Sequence, residues 1–197
     1  MTSPKRIQLI ALVLVTFLVA GFLVACGGES DEFDPETFDP LTNVPVDMSV
    51  KSPEFGEGDS IPVKFTCDGE DVPPIVSWEK PPAGTKAVVM IMDDPDAPGG
   101  IFSHWVILNI PTNDNSVRSV IEGKAASEVV VGTNGFGEND YGGPCPPAGE
   151  MHEYRFNVFA LIAPLDLDDT ATMQDALAAM RGSVIGHGVL TAVYSRP

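Results

Sequence analysis

Between residues 62 and 195 the chain is cut into short apolar runs by Gly, Pro, Asp and Asn, and this punctuation constrains its fold more than any other feature. Runs at 62–66, 75–78, 86–92, 104–110, 128–131, 153–162 and 188–195 are rich in β-branched or aromatic residues, the pattern of strands bounded by turns. In the run 153–162, Tyr154, Phe156, Val158, Ala160 and Ile162 alternate with Arg155, Asn157, Phe159 and Leu161. Such a strand is polar on one face at first and buried on both faces later. One segment reads as a helix: Thr172 can cap it with Asp175 three residues on, residues 176–180 fill it, and Gly182 can stop it. Seven strands and one helix predict a mainly β fold, either a β-sandwich or a large sheet with a peripheral helix.

The first 25 residues stand apart from this pattern. Lys5 and Arg6 precede an apolar stretch over 7–25 that ends Leu23-Val24-Ala25-Cys26. A basic start, an apolar run and small residues before a cleavage point make a secretory signal. The cysteine directly after small residues resembles a bacterial lipobox, which implies removal of 1–25 and diacylation of Cys26. An uncleaved anchor is the alternative, because the apolar stretch is nearly long enough to span a bilayer. Both readings place the domain outside the cytoplasm and tethered to membrane, and two acyl chains hold far better than one. Residues 26–46 form an acidic linker that repeats Phe-Asp-Pro at 33–35 and 38–40 and has too little apolar surface to offset the cost of ordering. The folded domain is expected over 47–197.

Lys5 and Arg6 are two of the 11 basic residues, so the chain after residue 25 sets nine bases against 28 acids, a formal excess of 19 negative charges. A surface this acidic repels nucleic acid and anionic bilayers at long range, so nucleic-acid binding is disfavoured and the anchor holds the protein at the membrane. With Cys26 acylated, Cys67 and Cys145 remain as a pair in an oxidising compartment. A disulfide between them is the favoured reading. Two free thiols, or Cys145 as a nucleophile, are the alternatives.

Ionisable and rigid residues concentrate in four clusters: Asp94-Pro95-Asp96-Ala97-Pro98, His104-Trp105, Gly143-Pro144-Cys145-Pro146-Pro147 and His152-Glu153-Tyr154. The first follows an apolar strand, so its carboxylates stand on a rigid turn at a strand end, where binding residues tend to be placed. Alone it also fits a surface Asx-Pro turn. His104 and His152 each start a strong strand, with Tyr154 on the face of His152 by the two-residue period. The loop from Gly142 to Gly149 lacks the lysine of a phosphate loop, though its glycines could turn N–H groups toward an anion. Together the clusters suggest one small-ligand pocket at the edge of a sheet.

These motifs, in this order, resemble the phosphatidylethanolamine-binding protein family, in particular its bacterial Raf-kinase-inhibitor-like branch. The stretch Phe65-Thr66-Cys67-Asp68-Gly69-Glu70-Asp71-Val72-Pro73-Pro74, ending at Trp78, and Pro81-Pro82-Ala83-Gly84-Thr85-Lys86 share the likeness, which covers roughly residues 48–197. The resemblance implies a large central antiparallel β-sheet packed on a smaller sheet, with a C-terminal helix. It also implies a small anion pocket for phosphate, acetate or a phosphoethanolamine head group. Family pocket residues carry over to Asp94, Asp96, Pro98, His104, Gly143, Pro144, His152 and Tyr154. Phe102 stands near the position of a pocket aromatic that is often Trp in relatives, and His187 reads as a packing residue.

Two carboxylates and two imidazoles leave the pocket near neutral or negative. An anion would therefore rest on N–H groups, the Tyr154 hydroxyl and a protonated histidine, while one aspartate raises a histidine's pKa and sets its tautomer. The reading is a non-catalytic, membrane-tethered binding protein with no cofactor and no metal, taking a small anion or phospholipid head group and binding more tightly as pH falls. Its rivals are a protein-interaction module acting on an envelope protease or other partner, a hydrolase, and a zinc site whose spacing would be unusual.

Overall fold

The computed structural model describes residues 48–79 and 81–196. The expected signal segment 1–25, Cys26 and the expected linker 26–46 lie outside the described residues, as does residue 47. Within the described range the chain runs β1 (Ser49–Lys51), β2 (Ser77–Glu79), β3 (Ala87–Asp94), β4 (Phe102–Ile110), α1 (Arg118–Ile121), β5 (Val130–Val131), β6 (Met151–Leu161), α2 (Met173–Ala179) and β7 (Val184–Ser195). Five strands form one antiparallel sheet in the order β5-β4-β3-β6-β7, and β1 and β2 pair into a small second sheet. The fold is mainly β, with the large sheet, small sheet and few helices anticipated from the motifs. The longer helix precedes the last strand, so the described chain ends on β7 rather than on the helix.

The two-residue period of the strands sorts the core into two layers. Met90 and Met92 of β3, Trp105 and Ile107 of β4, Tyr154, Phe156 and Val158 of β6 and Leu190 and Ala192 of β7 share one face, packed under Phe55, Ile61, Phe65, Val76 and Trp78. Val89, Ile91, Val106, Leu108, Phe159 and Leu161 share the other, packed under Leu165 and under Met173 and Ala176 of α2. Central strands buried on both faces explain the near-continuous apolar runs in β3 and β4. Each large aliphatic or aromatic side chain removed from water here contributes roughly 1.5–3 kcal/mol. The helix begins as its sequence indicates: the Thr172 N–H donates to Asp175 Oδ2 at 2.9 Å and the Asp175 N–H to Thr172 Oγ1 at 3.3 Å, a closed capping box.

Two expectations need correction. Residues 62–66 form no strand: Val63–Phe65 is a single 3-10 turn, closed by Phe65 N–H to Pro62 O at 2.9 Å and Thr66 N–H to Val63 O at 3.0 Å. Pro62 has no N–H to give a ladder and its fixed φ of −59° suits a turn entry, so the β-branched content of this run misleads. The run 75–78 is strand only from Ser77. Conversely, β1 and α1 have no strong period in the sequence because each is a single short pass over the surface.

Candidate functional site

The face of the large sheet that carries Met92 and Phe156 continues, at the end of β3, into Asp94 and, at the start of β6, into Tyr154 and His152. Asp94, His104, His152 and Tyr154 are only 4, 3, 4 and 0 % exposed. His104 reaches the same cluster through a register step. Met92 pairs with Trp105 but Asp93 pairs with Ser103, so His104 is the extra residue of a β-bulge. A bulge re-aims a side chain, and here it lets the neighbours His104 and Trp105 both turn inward. The His104 ring then packs edge-on against Tyr154, with centroids 5.3 Å apart, and against Phe102 at 5.2 Å. Phe102 thus walls one side of the His104 ring.

Both histidines are fixed as the Nδ1–H form by what they donate to. His104 Nδ1–H donates to the Gly142 carbonyl at 2.6 Å, and a carbonyl can only accept. His152 Nδ1–H donates to Asp94 Oδ2 at 2.7 Å, and its Nε2 lies 3.5 Å from Glu150 Oε2. The two rings differ in charge preference. Burial dominates at His104 and pulls its pKa below the ordinary value, against the Gly142 bond and the Asp94 charge. At His152 burial also pulls down, but the Asp94 carboxylate outweighs it and the pKa rises. Tyr154 is held protonated by burial first and by the neighbouring Asp94 charge second. Its hydroxyl is fully buried and has no hydrogen-bond partner of normal geometry among the described residues, although Asp94 is close enough to act on it electrostatically.

The remaining motif residues frame this cluster instead of reaching into it. Asp94 Oδ1 accepts the Asp96 N–H at 2.8 Å, and Asp96 Oδ2 accepts the Glu153 N–H at 2.8 Å, tying the Pro turn to β6. Pro98 is exposed on that turn. The glycine amides that suggested an anion nest are already committed: Gly142 N–H donates to His104 O at 3.0 Å and Gly143 N–H to Asp71 Oδ1 at 2.8 Å. The Pro144 carbonyl accepts the Cys67 N–H at 3.2 Å. Cys67 and Cys145 are joined in a disulfide across a sequence separation of 78, so Cys145 carries no free thiol and the nucleophile reading is removed. His187 packs within the sheet, as anticipated, but on β7 against Phe159 at 5.0 Å.

Sequence reasoning missed two residues of the site. Phe136 lies over His104 with centroids 5.6 Å apart and over Phe102 at 4.8 Å, while remaining 51 % exposed. Its one signal is an aromatic ring set between Gly135 and Gly137 in a polar loop. Asp71 accepts the Gly143 N–H of the glycine loop through its carboxylate and is, among the described residues, one of two non-glycine residues with positive φ, at 55°. Among the described residues no three His, Cys, Asp or Glu side chains converge as a metal site requires. Separately, an open groove of about 950 Å³ lies behind the loop, floored by Phe65, Val72 and Trp105 and edged by Glu54, Glu70 and Asp140. It contains none of Asp94, His104, His152 or Tyr154.

A buried polar cluster thus lies at the end of the five-stranded antiparallel sheet, walled by aromatic rings. Residues 51–195 match the family described as phosphatidylethanolamine-binding protein. The chain belongs to that family. It is 40 % identical over 151 residues to a UPF0098 protein of Methanothermobacter thermautotrophicus, covering 76 % of this chain and 99 % of that one. A Mycobacterium tuberculosis protein named "Putative lipoprotein LppC" is 34 % identical over 203 residues, covering 98 % of this chain and 99 % of its own. Among solved structures, Escherichia coli YbcL, described as a member of the mammalian PEBP family, superposes with a TM-score of 0.70 at 29 % identity, covering 76 % of this chain and 99 % of that chain. Among the described residues no helix is long and apolar enough to cross a membrane.

Proposed function

We propose that this protein is an extracytoplasmic, membrane-tethered binding protein whose buried site takes a small phosphoryl or carboxylate group, such as the phosphoethanolamine head of a lipid, without chemical turnover. The observation that carries this reading is the Tyr154 hydroxyl, buried and without a hydrogen-bond partner of normal geometry among the described residues, packed beside His104. A buried polar group left unpaired costs about 1–3 kcal/mol, a cost that a ligand oxygen would relieve. His104 Nε2 supplies a second contact. Neutral, it accepts a proton from a ligand hydroxyl or ammonium; protonated, it donates to an anion. The Asp94 carboxylate favours the protonated form of His152, which would offset the negative field at the site. Tethering is supported by the basic-apolar-cysteine start and by the likeness, over nearly the whole chain, to the mycobacterial protein named as a lipoprotein. The non-catalytic reading is supported by the disulfide, which occupies the most nucleophilic side chain near the site.

Titration calorimetry with inorganic phosphate and phosphoethanolamine tests the reading. Affinity should rise as pH falls from about 8 to about 5.5, as His104 gains its proton below the ordinary histidine pKa. Affinity that is flat with pH, or undiminished in His152→Ala, would sink it. A protein-interaction role is the second reading, favoured by the separate groove, where Glu54, Glu70 and Asp140 outnumber Lys64 and so suit a basic partner.

A further inference from the structure

The Gly142 carbonyl that accepts the proton of His104 and the Gly143 N–H that donates to Asp71 belong to the same peptide group. The distances are 2.6 Å on the histidine side and 2.8 Å on the aspartate side. A peptide group is planar and rigid, so gripping its N–H orients its C=O. Hydrogen bonds on the two ends also polarise each other, and a carboxylate pulling on the N–H makes the carbonyl a stronger acceptor.

We infer that Asp71 is a positioning residue for the ligand site, acting through the Gly142–Gly143 peptide to fix the His104 ring as its Nδ1–H tautomer and leave Nε2 facing the ligand. The inference rests on the proposed binding role of the site, but its structural half is testable without any ligand. The arrangement parallels His152, which Asp94 holds directly at 2.7 Å. Each histidine thus leans on its own carboxylate, one in contact and one across a peptide.

Independent features show that this contact is built. A Cβ on residue 143 would lie 2.4 Å from Asp71 Oδ1 and 2.6 Å from Phe65 O, so only glycine lets the peptide approach the carboxylate so closely. Asp71 adopts a left-handed backbone, φ 55°, which side chains other than Asn and Asp rarely tolerate. The same loop is fastened to the 65–71 segment by the Tyr141 hydroxyl to Phe65 O at 2.6 Å, by Cys67 N–H to Pro144 O at 3.2 Å and by the Cys67–Cys145 disulfide. Those anchors keep the loop in place when Asp71 is changed, so its substitution reports on the peptide and not on unfolding. Around His104 the charges are Asp94 and Asp71, and the Tyr154, Phe102 and Phe136 rings pack against its ring.

Nitrogen-15 NMR of the histidine side chains, recorded on the oxidised domain across a pH titration, tests the inference with two variants. Asp71→Asn keeps an oxygen acceptor and tolerates the left-handed backbone. It should retain the Nδ1–H tautomer of His104 but lower its pKa, because the carboxylate charge is gone. Asp71→Ala loses the acceptor as well and should give a mixture of tautomers, with phosphate affinity falling about three- to tenfold, as for the net loss of one ordinary hydrogen bond. His104 signals and titration in Asp71→Ala identical to those of the unaltered protein would overturn the inference, as would a mixed tautomer in Asp71→Asn. Failure of the unaltered protein to bind phosphate at any pH would instead overturn the proposed function and leave the NMR result standing.

Discussion

His152 Nδ1 lies 2.7 Å from Asp94 Oδ2 with both side chains 5 % exposed, so this pair of the candidate site is buried within the sheet and becomes an ion pair when His152 is protonated. The carboxylate lifts the histidine's pKa despite burial. A base whose folded pKa is raised stabilises the fold fully below its unfolded pKa, about 6.5, and loses that contribution as pH rises through the higher folded value. His152→Gln should therefore cost about 1–3 kcal/mol in urea unfolding below pH 6.5, and less above the folded pKa. A cost that grows with pH would contradict the pairing.

His104 should behave in the opposite sense. Burial holds its folded pKa below the ordinary value, so the unfolded chain takes up the proton first and stability falls as pH drops below about 6.5. An anion accepted by protonated His104 would offset that loss. Added phosphate should accordingly raise the melting temperature more near pH 5.5 than near pH 8, because ligand binding to the folded state shifts stability by mass action. Equal stabilisation at both pH values, measured by differential scanning calorimetry, would separate phosphate binding from this histidine.

Much of this site was legible in the sequence because the residues that converge stand on strands with clear periods. Tyr154 and His152 share a face by alternation, and Asp94 ends an unmistakable apolar strand. The position of His104 was not legible, because alternation turns only one of His104 and Trp105 inward, and the bulge between Met92 and Asp93 turns both. Nor could the roles within the aspartate turn be separated: Asp94 reaches the histidine, whereas Asp96 is spent on the Glu153 amide. Asp71 and Phe136 act across long sequence separations from exposed loops, where composition carries no pairing signal. The run 62–66 shows the reverse failure, with strand-like residues placed after a proline that starts a turn.

The disulfide joins the glycine loop to the 65–71 segment across a separation of 78 residues, and closing a loop of that length stabilises by roughly 4 kcal/mol in the chain-entropy model. Cys67→Ala/Cys145→Ala should lower the urea midpoint of the domain and raise the slope, because the denatured chain without the cross-link exposes more surface. Reductant should reproduce the effect in the unaltered protein and do nothing to the double variant. A thiol assay showing two free cysteines in the oxidised domain would remove the premise.

Anchorage is testable apart from binding. With Cys26 diacylated, the mature domain should sediment with membranes, since each buried methylene contributes about 0.8 kcal/mol and two chains together hold stably. Cys26→Ser should release it to the soluble fraction if the signal is still cleaved. Retention of Cys26→Ser on the membrane, with the apolar segment 7–25 present by mass spectrometry, would instead support the uncleaved anchor.

Two neighbouring glycines offer a contrast that isolates rigidity at the site. A Cβ at Gly143 meets Asp71 Oδ1 at 2.4 Å, Phe65 O at 2.6 Å and Thr66 Cα at 2.9 Å, and two of these are backbone atoms that cannot move aside. A Cβ at Gly142 meets the Phe136 ring at 2.5 Å, a half-exposed side chain on a loop and not backbone. Gly143→Ala should cost about 1–3 kcal/mol, the usual range for overpacking a tight site, and should displace the peptide that His104 donates to. Gly142→Ala should cost less than about 1 kcal/mol, within the range of volume changes that neighbours absorb. Urea unfolding of the two variants measures the difference directly. Equal costs would mean that the loop yields as a whole, and that the peptide between Asp71 and His104 is not rigid enough to hold a tautomer.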